Sequence, residues 1–241
     1  MAERSWRRRT IQAVAWTTGV LWLALFFGLV DLSVPIFFQT RPEFYSGYLI
    51  STGWGVLFTF FVGLPLCFAG ARPDWICGAL LSAGSGVAVL FACVASGQPA
   101  QLAIVFALLL PAAAIWILSQ SGTGTDGRIN LNGQLDQRAG PMQRIPILGL
   151  AAISFPPAIM YASEMIRLAH AGAPEPVYSW GFDHYPIQAA STLVIPLATA
   201  VLASRLPGWR PMTWLVASGT AWFGVVSIVY PNHLGSWGSA W

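Results

Sequence analysis

Seven long apolar runs divide this sequence. Each is long enough to cross the hydrocarbon core of a bilayer, which takes roughly 20 residues of α-helix. Only 9% of the residues are charged, whereas a soluble domain carries roughly 25%. The pattern predicts an all-α fold, a polytopic bundle of seven transmembrane helices that forms a single integral membrane domain over residues 1–241. The predicted spans are Ile11–Val30, Tyr48–Ala69, Trp75–Ala95, Leu102–Leu118, Ile145–Ile166, Ile187–Leu206 and Met212–Tyr230.

One polar segment divides the chain into two groups of helices. Residues 1–118 carry helices one to four, residues 119–144 form a glycine-rich linker, and residues 145–241 carry helices five to seven. The glycines of the linker have neither the lysine nor the preceding strand of a phosphate-binding loop. We therefore interpret it as a flexible cytoplasmic connection.

All 12 basic residues are arginine. The absence of lysine excludes a retinal Schiff base, a pyridoxal phosphate lysine and a phosphate-loop lysine. With the N-terminus in the cytoplasm, ten arginines lie inside and only Arg41 and Arg167 lie outside, as the positive-inside rule requires. This predicts an outer C-terminus and no nucleic-acid partner, and the arginine-only composition is typical of a bacterial plasma membrane protein.

Small residues mark the predicted interior. Cys67, Cys77 and Cys93 lie in apolar runs without a C-x-x-C pair, so we expect buried thiols and neither a disulfide framework nor a cofactor site. Gly78, Ser82 and Gly86 recur every four residues in the third helix, which predicts close approach of a neighbouring helix.

An internal repeat is predicted from matching loops. Pro42–Tyr48 resembles Pro174–Phe182, and Gly70–Trp75 resembles Gly208–Trp214, in the same order and at similar offsets. The matches predict two three-helix units joined by helix four, a 3+1+3 plan. Repeats of this kind place binding sites between the halves.

The stretch Tyr161–Gln188 concentrates the polar residues of the second half. Tyr161, Glu164, Arg167 and His170 recur every three residues, so on a helix each reaches the next. One hypothesis makes Glu164 a catalytic acid and the other three side chains ligand-binding groups. The other makes Glu164 and Arg167 a structural ion pair.

Asp31 ends the predicted first helix and is the counterpart of Glu164 if the repeat holds. Two facing carboxylates would divide the roles of acid and base between them. The alternative places Asp31 in the headgroup layer, solvated and inert.

Asp183 and His184 stand at the entry to the sixth helix, with Gln188 one turn further in. Asp183 is suited to cap that helix, and His184 to transfer protons beside an acidic neighbour. We therefore add Asp183 and His184 to the catalytic candidates, and Gln188 and His233 to the ligand-binding candidates. No metal site is predicted, although His170, His184, His233 and Asp183 could converge on an ion.

Three functions fit this pattern. The size and the 3+1+3 plan resemble the membrane lycopene cyclases and other seven-helix isoprenoid cyclases, which favours an acid–base enzyme with a lipophilic small molecule as its partner besides the lipid bilayer. The proline-glutamate-glutamate and N-x-x-W-E patterns of those families are absent, so no site residue is carried over from them. The duplicated plan also resembles sugar transporters of the SWEET kind, which favours a small-solute carrier. The third hypothesis is an accessory subunit whose partner is another membrane protein.

Overall fold

The computed structural model describes residues 2–37, 48–120, 141–173, 182–233 and 235–236. Their regular structure is entirely helical, without a strand. Seven helices in these ranges are long and apolar enough to cross a membrane. The prediction of a multi-pass helical membrane protein with seven spans is therefore confirmed on length and composition. The spans are Ser5–Phe37, Ile50–Ala71, Cys77–Ser96, Pro99–Gln120, Arg144–His170, His184–Ala203 and Trp209–Val229.

Two of the seven spans are interrupted α-helices. The first consists of the α-helix Ala2–Val20, a π-helical segment Leu21–Leu25 and the α-helix Gly28–Phe37. The second consists of Tyr48–Val56, a π-helical segment Leu57–Gly63 and Leu64–Ala71. The others are regular: Cys77–Ser96, Leu102–Gln120 after the 3₁₀ turn Pro99–Gln101, Pro141–His170, His184–Ala203 and Trp209–Val229.

The second, third and sixth spans form the interior of the bundle. They are mostly buried, whereas the first, fourth, fifth and seventh spans leave most of their surface exposed. The sixth span packs against the fifth, third and second, and the first span packs along the second. Any site inside the bundle must therefore involve the second or the sixth span.

The chain reverses direction at each turn and so has two faces. The N-terminal face holds the start of the first span and the turns before the third and seventh, where the Cys77 amide donates to the Pro207 carbonyl at 3.4 Å. The His184 face holds the other helix ends, where His170 Nε2 lies 2.7 Å from the Ala95 carbonyl oxygen. Which face is cytoplasmic follows only from the arginine count.

The first span breaks at Phe26 and Phe27. Phe27 adopts a left-handed backbone with φ 58°, which is strained for a residue with a side chain. The break frees the Phe26 carbonyl, and the Trp54 indole N–H donates to it at 2.7 Å. A backbone group inside a membrane protein needs such a partner.

Asp31 lies within the first span, and the prediction that this helix ends near Val30 is wrong. After the break the helix continues to Phe37, which at about 1.5 Å per residue adds roughly 9 Å of helix beyond Asp31. The unbroken apolar run Ile11–Val30 hid this extension because it is already long enough to span a bilayer. Asp31 is consequently half-buried against neighbouring helices.

Glycines set the closest helix contacts. A Cβ at Gly55 would overlap the backbone of Leu32 and lie 2.8 Å from the Asp31 carbonyl carbon. A Cβ at Gly78 would overlap the Pro65 carbonyl oxygen, and one at Gly86 would lie 2.7 Å from the Leu109 side chain. The close approach predicted for the third span is therefore confirmed, and a second one brings Asp31 against the second span.

The remaining sequence predictions divide into tested and untested ones. Cys67, Cys77 and Cys93 are free and buried, as predicted. The 3+1+3 repeat stays a prediction, because its outer loops and the linker residues 121–140 lie outside the described residues, as do Glu43 and Glu175. The described halves differ locally, since the first two spans contain π-helical segments and the fifth and sixth do not.

We expect Gly55→Ala to destabilise the bundle by about 1–3 kcal/mol, the usual penalty for overpacking a tight contact. Gly84→Ala is the matched control, because a Cβ there meets nothing within 4 Å; helix propensity makes it neutral or stabilising by up to about 1 kcal/mol. The midpoint of unfolding by sodium dodecyl sulfate, measured on detergent-solubilised protein, distinguishes the two. Equal midpoints would show that the first span does not depend on this contact.

Candidate functional site

Asp31 and His184 lie near each other on the His184 face. Asp31 belongs to the first span and His184 is the first helical residue of the sixth. The imidazole is close enough to act on the charge of the Asp31 carboxylate. His184 is only 1% exposed, whereas Asp31 keeps part of its surface accessible. An ionisable pair between two spans is a candidate functional site by default, because placing charge there is costly.

Three consecutive residues of the second span assemble this site. Gly53 faces the Gln188 side chain, Trp54 contacts His184, and Gly55 faces Asp31. The Trp54 and His184 rings meet edge to face with centroids 5.0 Å apart. The second span therefore sets the distance between the first and sixth spans. Sequence reasoning missed this role, although a tryptophan between two glycines inside a predicted span was a signal for it.

An aromatic cluster lies beneath the pair. Trp22 stacks on Phe58 with centroids 4.4 Å apart, and Trp54 meets the same ring edge-on at 4.8 Å. All three side chains are buried, none more than 2% exposed. Their faces are occupied by one another, so they position the site rather than line an open surface.

A polar network attaches the C-terminal segment to the interior. The Tyr161 hydroxyl donates to the Gly235 carbonyl and accepts from Gln188 Nε2 at 2.7 Å. The Ser236 hydroxyl donates to the Ser227 carbonyl at 3.1 Å. Gln188 is fully buried, and its Oε1 atom has no hydrogen-bond partner among the described residues. Gln188 Oε1 is thus a buried acceptor packed against Gly53, where an added Cβ would overlap it.

Asp183 caps the sixth span, as predicted. Its Oδ1 accepts the Tyr185 amide at 2.8 Å, the geometry of an N-cap. Gln98 donates to Asp183 Oδ2 at 3.3 Å, and Gln101 donates to the Asp183 carbonyl at 2.5 Å. Sequence reasoning missed both glutamines, which lie where the third span ends and the fourth begins. A catalytic role for Asp183 stays a prediction.

Glu164 and Arg167 form a closed ion pair on the outside of the bundle. Arg167 donates to both carboxylate oxygens, with Nε 2.8 Å from Oε2 and Nη2 2.6 Å from Oε1. The Glu164 side chain is 26% exposed and the Arg167 side chain is 65% exposed. The predicted pairing is confirmed. The hypothesis that Asp31 and Glu164 face each other stays a prediction.

The four residues spaced by three do not act as one row. Tyr161 points inward to the Gln188 network, Glu164 and Arg167 pair outside, and exposed His170 contacts the Ala95 carbonyl of the third span. Helical spacing predicted their proximity but not the different elements that each one contacts.

His233 lies in the turn after the seventh span. Its ring meets the Tyr230 ring edge to face with centroids 5.1 Å apart, and its carbonyl accepts the Ser236 amide at 2.9 Å. Burial lowers the pKa of His233 below its ordinary value. Within the described ranges, no three histidine, cysteine, aspartate or glutamate side chains lie close enough together to hold a metal ion.

We expect Tyr161→Phe to loosen the C-terminal segment, because the change leaves the Gly235 carbonyl and the Gln188 amide without their shared hydroxyl. Loss of such buried hydrogen bonds costs about 1–3 kcal/mol. Hydrogen exchange at the Ser236 amide should accelerate about tenfold or more, since 1.4 kcal/mol corresponds to a factor of ten. Ser163→Ala, which removes an exposed hydroxyl from the same helix, should leave the exchange unchanged.

Acidification should loosen the same segment through His233. Its folded-state pKa is lowered, so below the ordinary value of about 6.5 the opened segment binds a proton that the docked segment does not. The docked form therefore loses stability as the pH falls from about 6.5 towards the lowered pKa, and no further below it. The protection factor of the Ser236 amide measures this loss. Asp31 and His184 are other ionisable residues on the same face, so His233→Gln is the deciding control and should remove the dependence.

Comparison of the chain with protein-family models, with curated proteins and with solved structures found no match in any of the three. The function is therefore argued from the geometry of Asp31, His184 and their neighbours.

Proposed function

We propose that the protein is a membrane-embedded enzyme that acts on a lipophilic, isoprenoid- or lipid-like substrate by acid–base chemistry, with Asp31 and His184 as its acid–base pair. The observation that carries the proposal is the placement of a half-buried carboxyl group in the first span near a buried imidazole at the start of the sixth. Such a pair can donate a proton at one atom and restore it from the other.

The surroundings of Asp31 favour a substrate that arrives through the bilayer. Leu29, Val30 and Ile36, on the same helix, are each about half exposed to the outside of the bundle. A water-soluble substrate would have to cross this apolar surface, whereas a lipid can lie along it. In its acid form, Asp31 would protonate a double bond or an epoxide oxygen that reaches it from this side.

His184 suits the role of proton reservoir behind Asp31. It is shielded from the outside and fixed against Trp54, so it cannot compete for the substrate itself. Gln188, one turn further along the sixth span, packs its Oε1 against Gly53 and supports the spacing of the second and sixth spans beside the pair. In this proposal the aromatic cluster holds the pair in place and does not contact the substrate.

The proposal also includes the orientation of the protein in the membrane and its internal repeat. With the arginine-rich N-terminal face in the cytoplasm of a bacterium, Asp31 and His184 lie at the outer leaflet of the plasma membrane. The 3+1+3 duplication would relate the half that contains the second span to the half that contains the sixth.

An accessory subunit is the second candidate, favoured by the Glu164–Arg167 ion pair. The two side chains neutralise each other on the outer surface of the fifth span. This polar patch can serve as a docking face for another membrane protein. The carrier hypothesis receives no separate support, because Ser191 and Thr192 in the central sixth span bond to carbonyls of their own helix, as in many membrane helices.

The test uses dicyclohexylcarbodiimide, a lipophilic reagent that labels protonated carboxyl groups within the bilayer. In native membranes we expect it to label Asp31, and we expect Asp31→Asn to abolish the label. Glu164→Gln is the matched control and should not change labelling, because Arg167 holds that carboxyl group as an anion. Labelling that persists in Asp31→Asn would remove Asp31 as the accessible acid.

A comparison of cellular lipids tests catalysis itself. Mass spectrometry of lipid extracts should reveal a species whose conversion requires the protein and falls about 10²–10⁴-fold in Asp31→Asn, the usual contribution of a general acid or base. Glu164→Gln should retain conversion. If the lipids of cells with and without the protein are identical, and Glu164→Gln alone reproduces the loss of the protein, the accessory function is correct.

A further inference from the structure

An open groove lies on the N-terminal face, far from Asp31. Its volume is about 360 Å³, and it is formed where the turn after the sixth span meets Trp75 at the start of the third. Arg205 and Arg210 line it together with Trp75 and Trp209. The groove therefore combines two permanent positive charges with two indole rings.

The two cations are held against one ring. The guanidinium carbon of Arg205 lies 5.0 Å from the Trp209 ring centroid, and that of Arg210 lies 5.7 Å from it. Cation–π contact stabilises each charge. Two guanidinium groups beside one ring make the groove a region of positive potential that favours an anion.

Arg205 has a further interaction within the protein, so Arg210 is the groove cation that is available to a ligand. Asp74 is the acidic residue of the adjacent turn, yet it is exposed, does not line the groove and forms no ion pair with a described residue. Arg210 likewise has neither a hydrogen bond nor an ion pair to the described residues. Arg72, whose guanidinium carbon lies 5.6 Å from the Trp75 ring centroid, adds a third cation beside the groove.

The backbone is shaped to keep the groove open. Arg205 adopts a left-handed conformation with φ 52°, which is strained for arginine. Gly208, with φ 89°, lies so close to Trp75 that a Cβ would come within 2.8 Å of the Trp75 Cβ. Strain and close packing at two neighbouring positions fix the arginine side chains around the groove.

The apolar side of the groove distinguishes a lipid from a free anion. Trp214 follows Arg210 by four residues on the seventh span, so both lie on one helix face, and Trp214 is 76% exposed. A phosphate bound by the arginines would have an apolar surface directly below it. Basic pockets between transmembrane helices at the interface are suited to lipid headgroups.

We propose that this groove is a binding site for an anionic phospholipid, with Arg205 and Arg210 on its phosphate group and an acyl chain along Trp214. Guanidinium groups match phosphate oxygens in geometry as well as in charge. The site is independent of the acid–base pair on the other face.

Native mass spectrometry of the protein released from nanodiscs tests this site. Nanodiscs contain equal amounts of phosphatidylglycerol and phosphatidylcholine, and we expect one phosphatidylglycerol to be retained in preference. Arg210→Gln should reduce retention about tenfold, because a hydrogen bond to a charged group is worth at least that factor. Arg8→Gln is the matched control, since it removes an exposed charge from the same face and should retain the lipid.

Each other outcome overturns the proposal. Equal loss in both variants would reveal a general effect of net charge, and equal retention of both lipids would remove the preference for a net negative headgroup. If inorganic phosphate alone displaces the lipid, the groove is a site for free anions. Arg205→Asn provides a second variant in case Arg210→Gln does not fold, because asparagine tolerates the left-handed backbone.

Discussion

The structure depends on the close approach of three spans at Gly53, Trp54 and Gly55. The two glycines admit a glutamine from one neighbour and a backbone from the other, and the tryptophan fills the space between them. The Trp54 indole N–H also satisfies the carbonyl freed by the break in the first span. One short segment thereby provides packing, hydrogen bonding and the spacing of Asp31 and His184.

The order and type of the helices could be predicted because membrane spans are defined by local composition. Each predicted span lies within a few residues of the observed one, with the first span as the exception. Its apolar run Ile11–Val30 is already long enough to span a bilayer. The left-handed conformation of Phe27 occurs where the first span packs on the second, and a sequence pattern does not reveal it.

The local parts of the site could also be predicted. Asp183 caps its own helix and Glu164 pairs with Arg167 one turn away, so sequence spacing was enough. Contacts between distant parts of the chain could not be inferred this way. The proximity of Asp31 to His184 follows from the packing of the first span on the second and of the second span on the sixth.

The bond from Tyr161 to Gly235 links the middle of the chain to one of the last described residues. During synthesis the fifth and sixth spans emerge well before residue 235 does. Until then the Tyr161 hydroxyl lacks its carbonyl acceptor. The buried amide of Gln188 then donates to a hydroxyl that has no acceptor of its own. The bundle therefore reaches its final state only after its seventh span has been inserted. A partner or tag that holds the C-terminal segment away would arrest assembly at that late step.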